Sequence, residues 1–241
     1  MNSVRTVSET KRSFYTSHTR PVSSIYRRVV EELMVEMHLL TVNRDFCYDP
    51  IYALGVVTTF DRFMQGYRPE ADLNSIFTAL CRALEGDPQQ YRQDAEQMTT
   101  TVRGTSWEDL TQLKVGGTLQ AALQQVAENA KFKYSRLFAI GLYTLLETLD
   151  AEAVKDNDRR KMALEKLAMG LHLSGDKLEK DLELYRSNLD KMQQAQAAMA
   201  DILAADRKRR EQREQDKSTQ APGEAETAAT ETSSNEAAVD P

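Results

Sequence analysis

Apolar residues recur every three or four positions along most of this 241-residue chain, the spacing of one face of an α-helix. The best-defined segment begins with Asp49 and Pro50, a pair typical of a helix start. The same segment ends with Gly66 and Pro69, which are typical of a helix end. Period-two alternation, the pattern of a half-buried strand, does not persist anywhere in the sequence. The pattern therefore predicts an all-α fold.

Cap signals divide the rest of the chain into further helices. The strongest are Asp87-Pro88 and Ser106, which has Asp109 three residues later, as in a capping box. Asp156 or Asn157 is predicted to cap a later helix. Helices are predicted over residues 19–40, 69–85, 87–104, a short piece after 106, residues 118–149 (one kinked helix or two) and residues 156–173.

The last predicted helix differs from the others because its apolar positions form a heptad seam. It begins at Ser174-Gly175 and extends to about Lys217, roughly 60 Å at 1.5 Å per residue. A compact domain of this size is only about 40 Å across, so part of the helix is expected to project from the body or to pair with a partner. The seam consists of Leu178, Leu182, Tyr185, Leu189, Met192, Gln196, Met199 and Leu203.

Composition adds a division of the chain into four regions. We predict a basic N-terminal segment (1–18), a helical body (19–173), the long C-terminal heptad helix (174–217) and an acidic tail (218–241). The tail is rich in Ala, Thr, Glu and Ser, a composition that buries too little apolar surface to offset the entropy of ordering, and we expect it to be disordered. The tail contains acids and no bases, so the net charge of −6 leaves the rest of the chain near neutrality. This balance argues against nucleic-acid binding.

Three segments carry a family resemblance. They are TVSETKRSFYTSHTRPVSSIYRRVVEELMVEMHLL, YDPIYALGVVTTFDRFMQGYRPE and SIFTALCRALEGDPQQYR, and the similarity continues more weakly to about Tyr185. Together they closely resemble the thylakoid-formation family, helical accessory proteins of photosystem II biogenesis and repair in cyanobacteria and chloroplasts. Because the resemblance begins at about Thr6, we expect no cleaved presequence. Because plant relatives carry one, the chain looks cyanobacterial.

The resemblance implies a partner and a place of action. Family members are linked to membrane-bound FtsH-type metalloproteases that remove damaged photosystem II subunits. We therefore expect docking to an FtsH-type complex, to photosystem II assembly components, or to both, at the cytoplasmic (stromal-side) surface of the thylakoid membrane. The longest uncharged apolar run, residues 137–146, is far shorter than the roughly 20 residues that cross a bilayer, so we expect peripheral association.

The candidate catalytic and metal-binding groups are few. His18 and His38 lack a carboxylate or cysteine at helical pairing distance, and the Ser174-Gly175 break separates His172 from Asp176, so packing and capping are the favoured roles. The Asp156-Asn157-Asp158 cluster faintly resembles an acidic magnesium motif, but an N-cap turn is favoured. No phosphate-binding loop is present. We expect no cofactor, no metal and no enzymatic activity.

The two cysteines have no metal-ligand spacing, which suits a reducing compartment with unpaired thiols. Cys81 lies between Leu80 and Leu84 and is expected to be buried, whereas the role of Cys47 stays open.

Basic residues supply the first candidate docking surface, at or near the ends of the first two long predicted helices. One interpretation is a solvated face with ordinary ion pairs, because Glu31 and Glu32 each lie four residues after an arginine. The other is a docking surface for anionic lipid headgroups or an acidic protein face. The candidates are Arg20, Arg27, Arg28, Arg62 and Arg68.

The second candidate surface is the distal part of the C-terminal helix. Met199, Ile202 and Leu203 share a face there, between alanines and a strongly charged segment. An exposed seam of this kind suits a partner helix or an oligomer contact.

A hypothesis from another class is a pigment-binding or small-molecule protein, or an enzyme, with a cavity among the helices. It requires polar groups that converge in an apolar pocket, and the sequence offers no such set.

Overall fold

The computed structural model describes the backbone of residues 5–219 and the side chains of residues 5–213. Within that range the chain forms eleven α-helices, one short 3₁₀ helix (Glu70–Asp72) and no strand, which confirms the all-α prediction. The helices are α1 Val7–Ser17, α2 Ser24–Thr41, α3 Pro50–Phe63, α4 Leu73–Ala83, α5 Pro88–Arg103, α6 Trp107–Thr111, α7 Gly117–Glu128, α8 Arg136–Leu149, α9 Ala151–Lys155, α10 Asn157–Gly170 and α11 Gly175–Thr219.

Local caps start the helices that the sequence predicted best. Asp49 accepts the backbone N–H of Tyr52 at 2.8 Å at the start of α3. Ser106 accepts the N–H of Asp109 at 3.0 Å at the start of α6. Asp156 does the same for α10. Each side chain satisfies a donor that has no partner within its helix.

Other boundaries differ from prediction. The helix expected from Thr19 begins at Ser24, because the residues around Arg20-Pro21 are not helical. For residues 118–149, where the sequence left one kinked helix or two open, the structure has two. The third predicted helix ends before Glu85, which adopts the left-handed conformation (φ 61°) that is common for glycine at helix ends.

Helix α1 was not predicted, although its start carries a recognisable signal. Thr6 and Glu9 form a reciprocal capping box, in which each side chain bonds to the other residue's backbone N–H. The helix packs on α4 and α2 through buried Phe14 and Thr10. The basic N-terminal segment is therefore largely helical.

The centre of the body is the pair α3 and α8, each of which has ten of its fourteen residues buried. A Cβ atom added to Gly141 would lie 2.0 Å from the carbonyl oxygen of Ile51. One added to Gly55 would lie 1.7 Å from the carbonyl oxygen of Leu137. The two glycines therefore allow the helix backbones to touch, an approach that any larger residue would block.

The chain divides into two compact units, residues up to Met192 and residues from Gln193. In the first unit, the α11 residues Leu178, Leu182 and Tyr185 are buried, so this half of the heptad seam belongs to the core. In the second unit, Met199, Ile202 and Leu203 are exposed. Projection of the distal helix stays a prediction. The predicted disorder of the tail concerns residues that, from position 220 on, lie outside the described part of the chain.

Candidate functional site

Two of the five candidate arginines are tied into the helical body. Arg20 forms an ion pair with the carboxylate of Asp72, which is buried. Arg62 pairs with Glu147 and also lies 3.5 Å from the hydroxyl of Tyr185. Both guanidinium groups neutralise carboxylates of neighbouring segments, which gives them a structural role.

Two further arginines form exposed ion pairs. Arg28 lies 2.8 Å from Glu32 one turn along α2, and Arg68 lies 3.0 Å from Glu70. The solvated-face interpretation therefore describes these two residues, and such exposed pairs contribute little to stability. Arg27 differs, because it is exposed and makes no ion pair within 4.0 Å among residues 5–213.

Arg27 and Arg28 line a surface groove of about 940 Å³, which we call the α2 groove. Four elements form its walls: α1, α2, the start of α8 with the residues just before it, and the first turns of α11. The lining residues are Lys11, Ser24, Arg27, Arg28, Glu31, Glu32, Val35, Glu36, Leu39, Tyr134, Ser135, Arg136, Lys177 and Asp181.

Glu31 connects α2 to α1 at one wall of the α2 groove. Its carboxylate accepts from Lys11 Nζ at 2.8 Å and from the hydroxyl of Tyr15 at 2.6 Å. The hydrogen bond from Lys11, followed by that from Tyr15, lowers the pKa of Glu31. This carboxylate is thus ionised and already has two donors.

Glu36 connects α2 to α8 in the way that Glu31 connects α2 to α1. It pairs with Arg136, the first residue of that helix, and both side chains are partly buried. Burial raises the pKa of Glu36, while the charge of Arg136 opposes the shift. A partly buried carboxylate is stabilised by an opposite charge beside it, so the pair connects α2 to α8.

At the α11 wall of the groove, one positive and one negative side chain of α11 contact the ring or hydroxyl of Tyr134, which lies just before α8. The Tyr134 hydroxyl donates to Asp181 at 2.8 Å, and the ammonium of Lys177 lies 4.6 Å from the centre of the Tyr134 ring. Among the described side chains, Lys177 has no carboxylate within 4.0 Å. A cation over an aromatic face keeps its charge and most of its hydrogen-bonding capacity.

The histidines serve packing, as the sequence indicated. His38 lies 2.9 Å from the hydroxyl of Thr10, and His18 lies 2.9 Å from that of Ser75, so both connect α1 to neighbouring helices. Burial lowers the pKa of His18. His172 ends α10 in the left-handed conformation (φ 57°). Among the described residues, no group of three His, Cys, Asp or Glu side chains is arranged to hold a metal ion.

The remaining candidate groups also have structural positions. Asp156 accepts the N–H of Arg159 at 3.0 Å, which confirms the N-cap interpretation. Cys81 is buried as predicted, and burial raises the pKa of its thiol to about 12. Cys47 is exposed.

Sequence reasoning missed most of the α2 groove. Lys11, Tyr134, Arg136 and Lys177 lie far from Arg27 in sequence and reach it only through the fold. The one local signal was the spacing of the α2 charges. It indicated ion pairs, whereas the exposed Leu39 in the same groove gave no signal at all.

In the part of the chain that the structure describes, no helix has the length and hydropathy required to cross a membrane.

The fold and the α2 groove define an all-helical protein with a charged surface cleft beside a buried pair of central helices. The family model of thylakoid formation proteins matches residues 6–214. The chain therefore belongs to the thylakoid formation protein family. The resemblance inferred from the sequence is thus confirmed, and it extends well beyond Tyr185.

Individual relatives cover nearly the whole chain. Protein Thf1 of Nostoc punctiforme is 64% identical over 222 residues, which are 89% of this chain and 94% of that protein. Protein Thf1 of Trichormus variabilis is 63% identical over 226 residues, 91% of this chain and 97% of that protein. A solved structure of Psb29 is 47% identical, has a TM-score of 0.76 and covers 86% of this chain and 98% of that one.

Proposed function

We propose that this chain is a non-enzymatic accessory protein in photosystem II biogenesis and repair, and that it acts by docking to FtsH-type protease complexes of the thylakoid membrane. The observation that carries the proposal is the family match over residues 6–214. The surface supports docking because the α2 groove presents Arg27 and Lys177, which have no carboxylate within 4.0 Å among the described side chains.

The mechanism is differential binding. A protein that binds the assembled protease but not its separate subunits stabilises the assembly by RT ln(1 + [L]/Kd), about 2.7 kcal/mol at a hundredfold excess over Kd. This effect requires a complementary surface and no reacting group. The α2 groove offers one such surface, and the exposed Met199, Ile202 and Leu203 offer a second.

The proposed place of action is the cytoplasmic (stromal) face of the thylakoid membrane, with peripheral association. Contact with anionic thylakoid lipids is a secondary part of the proposal. It is assigned to arginines that are exposed at the surface, such as Arg28 and Arg68, because these side chains reach solvent while their partners neutralise them only partly.

The test is a cyanobacterial strain that lacks the gene for this chain, compared with the same strain complemented by the intact gene. Oxygen evolution after a strong-light period measures photosystem II repair, and native gels measure the assembled FtsH-type complex. We expect slower recovery and less assembled complex in the deletion strain, with both restored by the intact gene. Equal recovery and equal complex in the two strains would refute the proposal.

A further inference from the structure

In the α2 groove the carboxylates all have hydrogen-bond donors, whereas some of the cations have no carboxylate close by. All four carboxylates already have donors: Glu31 from Lys11 and Tyr15, Glu32 from Arg28, Glu36 from Arg136 and Asp181 from Tyr134. Of the five cations, Lys11, Arg28 and Arg136 are used in these pairs, whereas Arg27 and Lys177 have no carboxylate within 4.0 Å among the described side chains. Arg27 and Lys177 can therefore donate hydrogen bonds to an anionic ligand.

The α2 groove also exposes an apolar surface beside these cations. Leu39 is 60% exposed, and Val35, one turn earlier on α2, is half-buried in the same groove. An exposed leucine in a concave surface gains free energy when a partner's apolar side chain covers it. A matching ligand therefore carries an apolar group close to its negative charge.

The four carboxylates of the groove indicate whether its anionic ligand is a lipid membrane or a polypeptide. A membrane of anionic lipids presents a continuous negative surface, and it would bring headgroups against Glu31, Glu32, Glu36 and Asp181 as well as against the cations. A polypeptide can place single carboxylates opposite Arg27 and Lys177 and put neutral or basic side chains opposite the acids. The interleaved charge favours a polypeptide.

We propose that the α2 groove binds an acidic segment of a partner protein, with side-chain carboxylates on Arg27 and Lys177 and an apolar side chain on Leu39. This inference rests on the proposed function, which locates the partner at the thylakoid membrane. It adds the chemistry of the surface that the partner presents. It assigns Arg27 a binding role, whereas Arg28 already pairs with Glu32.

A site-specific crosslink tests the inference. The full-length chain carries a benzophenone amino acid at position 39 (Leu39→p-benzoylphenylalanine), is mixed with thylakoid membranes from the deletion strain and is irradiated. The crosslinked peptides are then sequenced by mass spectrometry. The control carries the same group at Met169, which is 77% exposed on α10 and does not line the groove. We expect position 39, but not position 169, to capture a peptide with an excess of Asp and Glu beside an apolar residue.

Charge variants measure the role of the two cations. We expect Arg27→Gln with Lys177→Gln to reduce the yield of the position-39 crosslink about three- to tenfold, because two exposed charge contacts are lost. The matched control, Arg44→Gln with Arg103→Gln, removes two positive charges from exposed arginines that do not line the groove, and we expect it to leave the yield unchanged. Circular dichroism verifies that both variants fold.

Several results would overturn the inference. They are a captured peptide rich in Lys and Arg, a yield insensitive to Arg27→Gln with Lys177→Gln, or equal loss in the two double variants. Binding to vesicles of phosphatidylglycerol in phosphatidylcholine that requires Arg27 and Lys177, without protein capture at position 39, would assign the groove to lipid instead.

Failure of the groove inference is distinguishable from failure of the proposed function. If the deletion strain is defective and the Arg27→Gln, Lys177→Gln chain restores it fully, the function stands and the groove inference falls.

Discussion

Alanine at Gly141 tests the close contact between α3 and α8, and two effects of this substitution have opposite signs. Helix propensity alone predicts a gain of about 1 kcal/mol, because alanine is the best helix former and glycine among the poorest. The structure places the new Cβ 2.0 Å from the Ile51 carbonyl oxygen and 2.9 Å from its carbon. Those atoms belong to the helix backbone, so no side-chain rotation relieves the clash.

Relief requires the two helices to move apart, which loosens a core that is buried on both sides. Overpacking costs typically 1–3 kcal/mol and occasionally more, and a backbone clash this severe belongs at or above the upper end. After subtraction of the propensity gain, we expect Gly141→Ala to lower the free energy of unfolding by about 2–4 kcal/mol. For a chain of this size that corresponds to a fall in Tm of about 4–16 °C.

The assay is thermal and urea unfolding of the full-length variant, with Gly175→Ala as the matched control. A Cβ at Gly175 meets its nearest neighbour, the Cβ of Ala168, at an ordinary 3.8 Å. We expect that control to change stability by about 0.5 kcal/mol or less. If Gly141→Ala is as stable as the unmodified chain, or more stable, the backbone contact described here is wrong and helix propensity governs the site.

Three further predictions concern other parts of the chain. Burial raises the pKa of Asp49 to about 7, so its contribution to stability is fully present below its ordinary value of 3.8 and is lost as pH rises through 7. The Tm of Asp49→Asn relative to the unmodified chain should therefore be higher at pH 9 than at pH 5, and the opposite trend would contradict the burial argument. A thiol reagent should label Cys47 rapidly and Cys81 only after denaturation, and fast labelling of both would show that α4 opens. Met199→Glu with Leu203→Glu should leave the Tm unchanged but weaken capture of the protease complex, whereas unfolding would show that these residues pack internally.

The features that could be predicted from sequence are local. Asp49, Ser106 and Asp156 cap helices because each side chain bonds to a backbone group within three residues, so the signal and its effect lie together. The helix predicted to begin at residue 19 begins at Ser24 instead. The Arg20-Pro21 pair is typical of a helix start, but in the structure Arg20 forms an ion pair with Asp72. Tertiary contacts override local preference there.

The features that could not be predicted depend on contacts between distant segments. The central contact requires Gly141 opposite Ile51, and neither residue alone indicates it. The α2 groove likewise brings Lys177 into the same lining as Arg27, although α11 and α2 are separated by most of the chain. Charge spacing along α2 showed which cations could pair locally. Only the fold shows which of them lack a partner among the described side chains.

Direct binding to the protease tests the proposed function most closely. The purified full-length chain is mixed with a purified, detergent-solubilised FtsH-type complex from thylakoid membranes and analysed by size-exclusion chromatography at increasing salt concentration. We predict that the chain elutes with the assembled complex at low salt and dissociates as salt screens the charges of the α2 groove. Separate elution at every salt concentration, from a complex that is itself intact, would contradict docking as the way this protein acts.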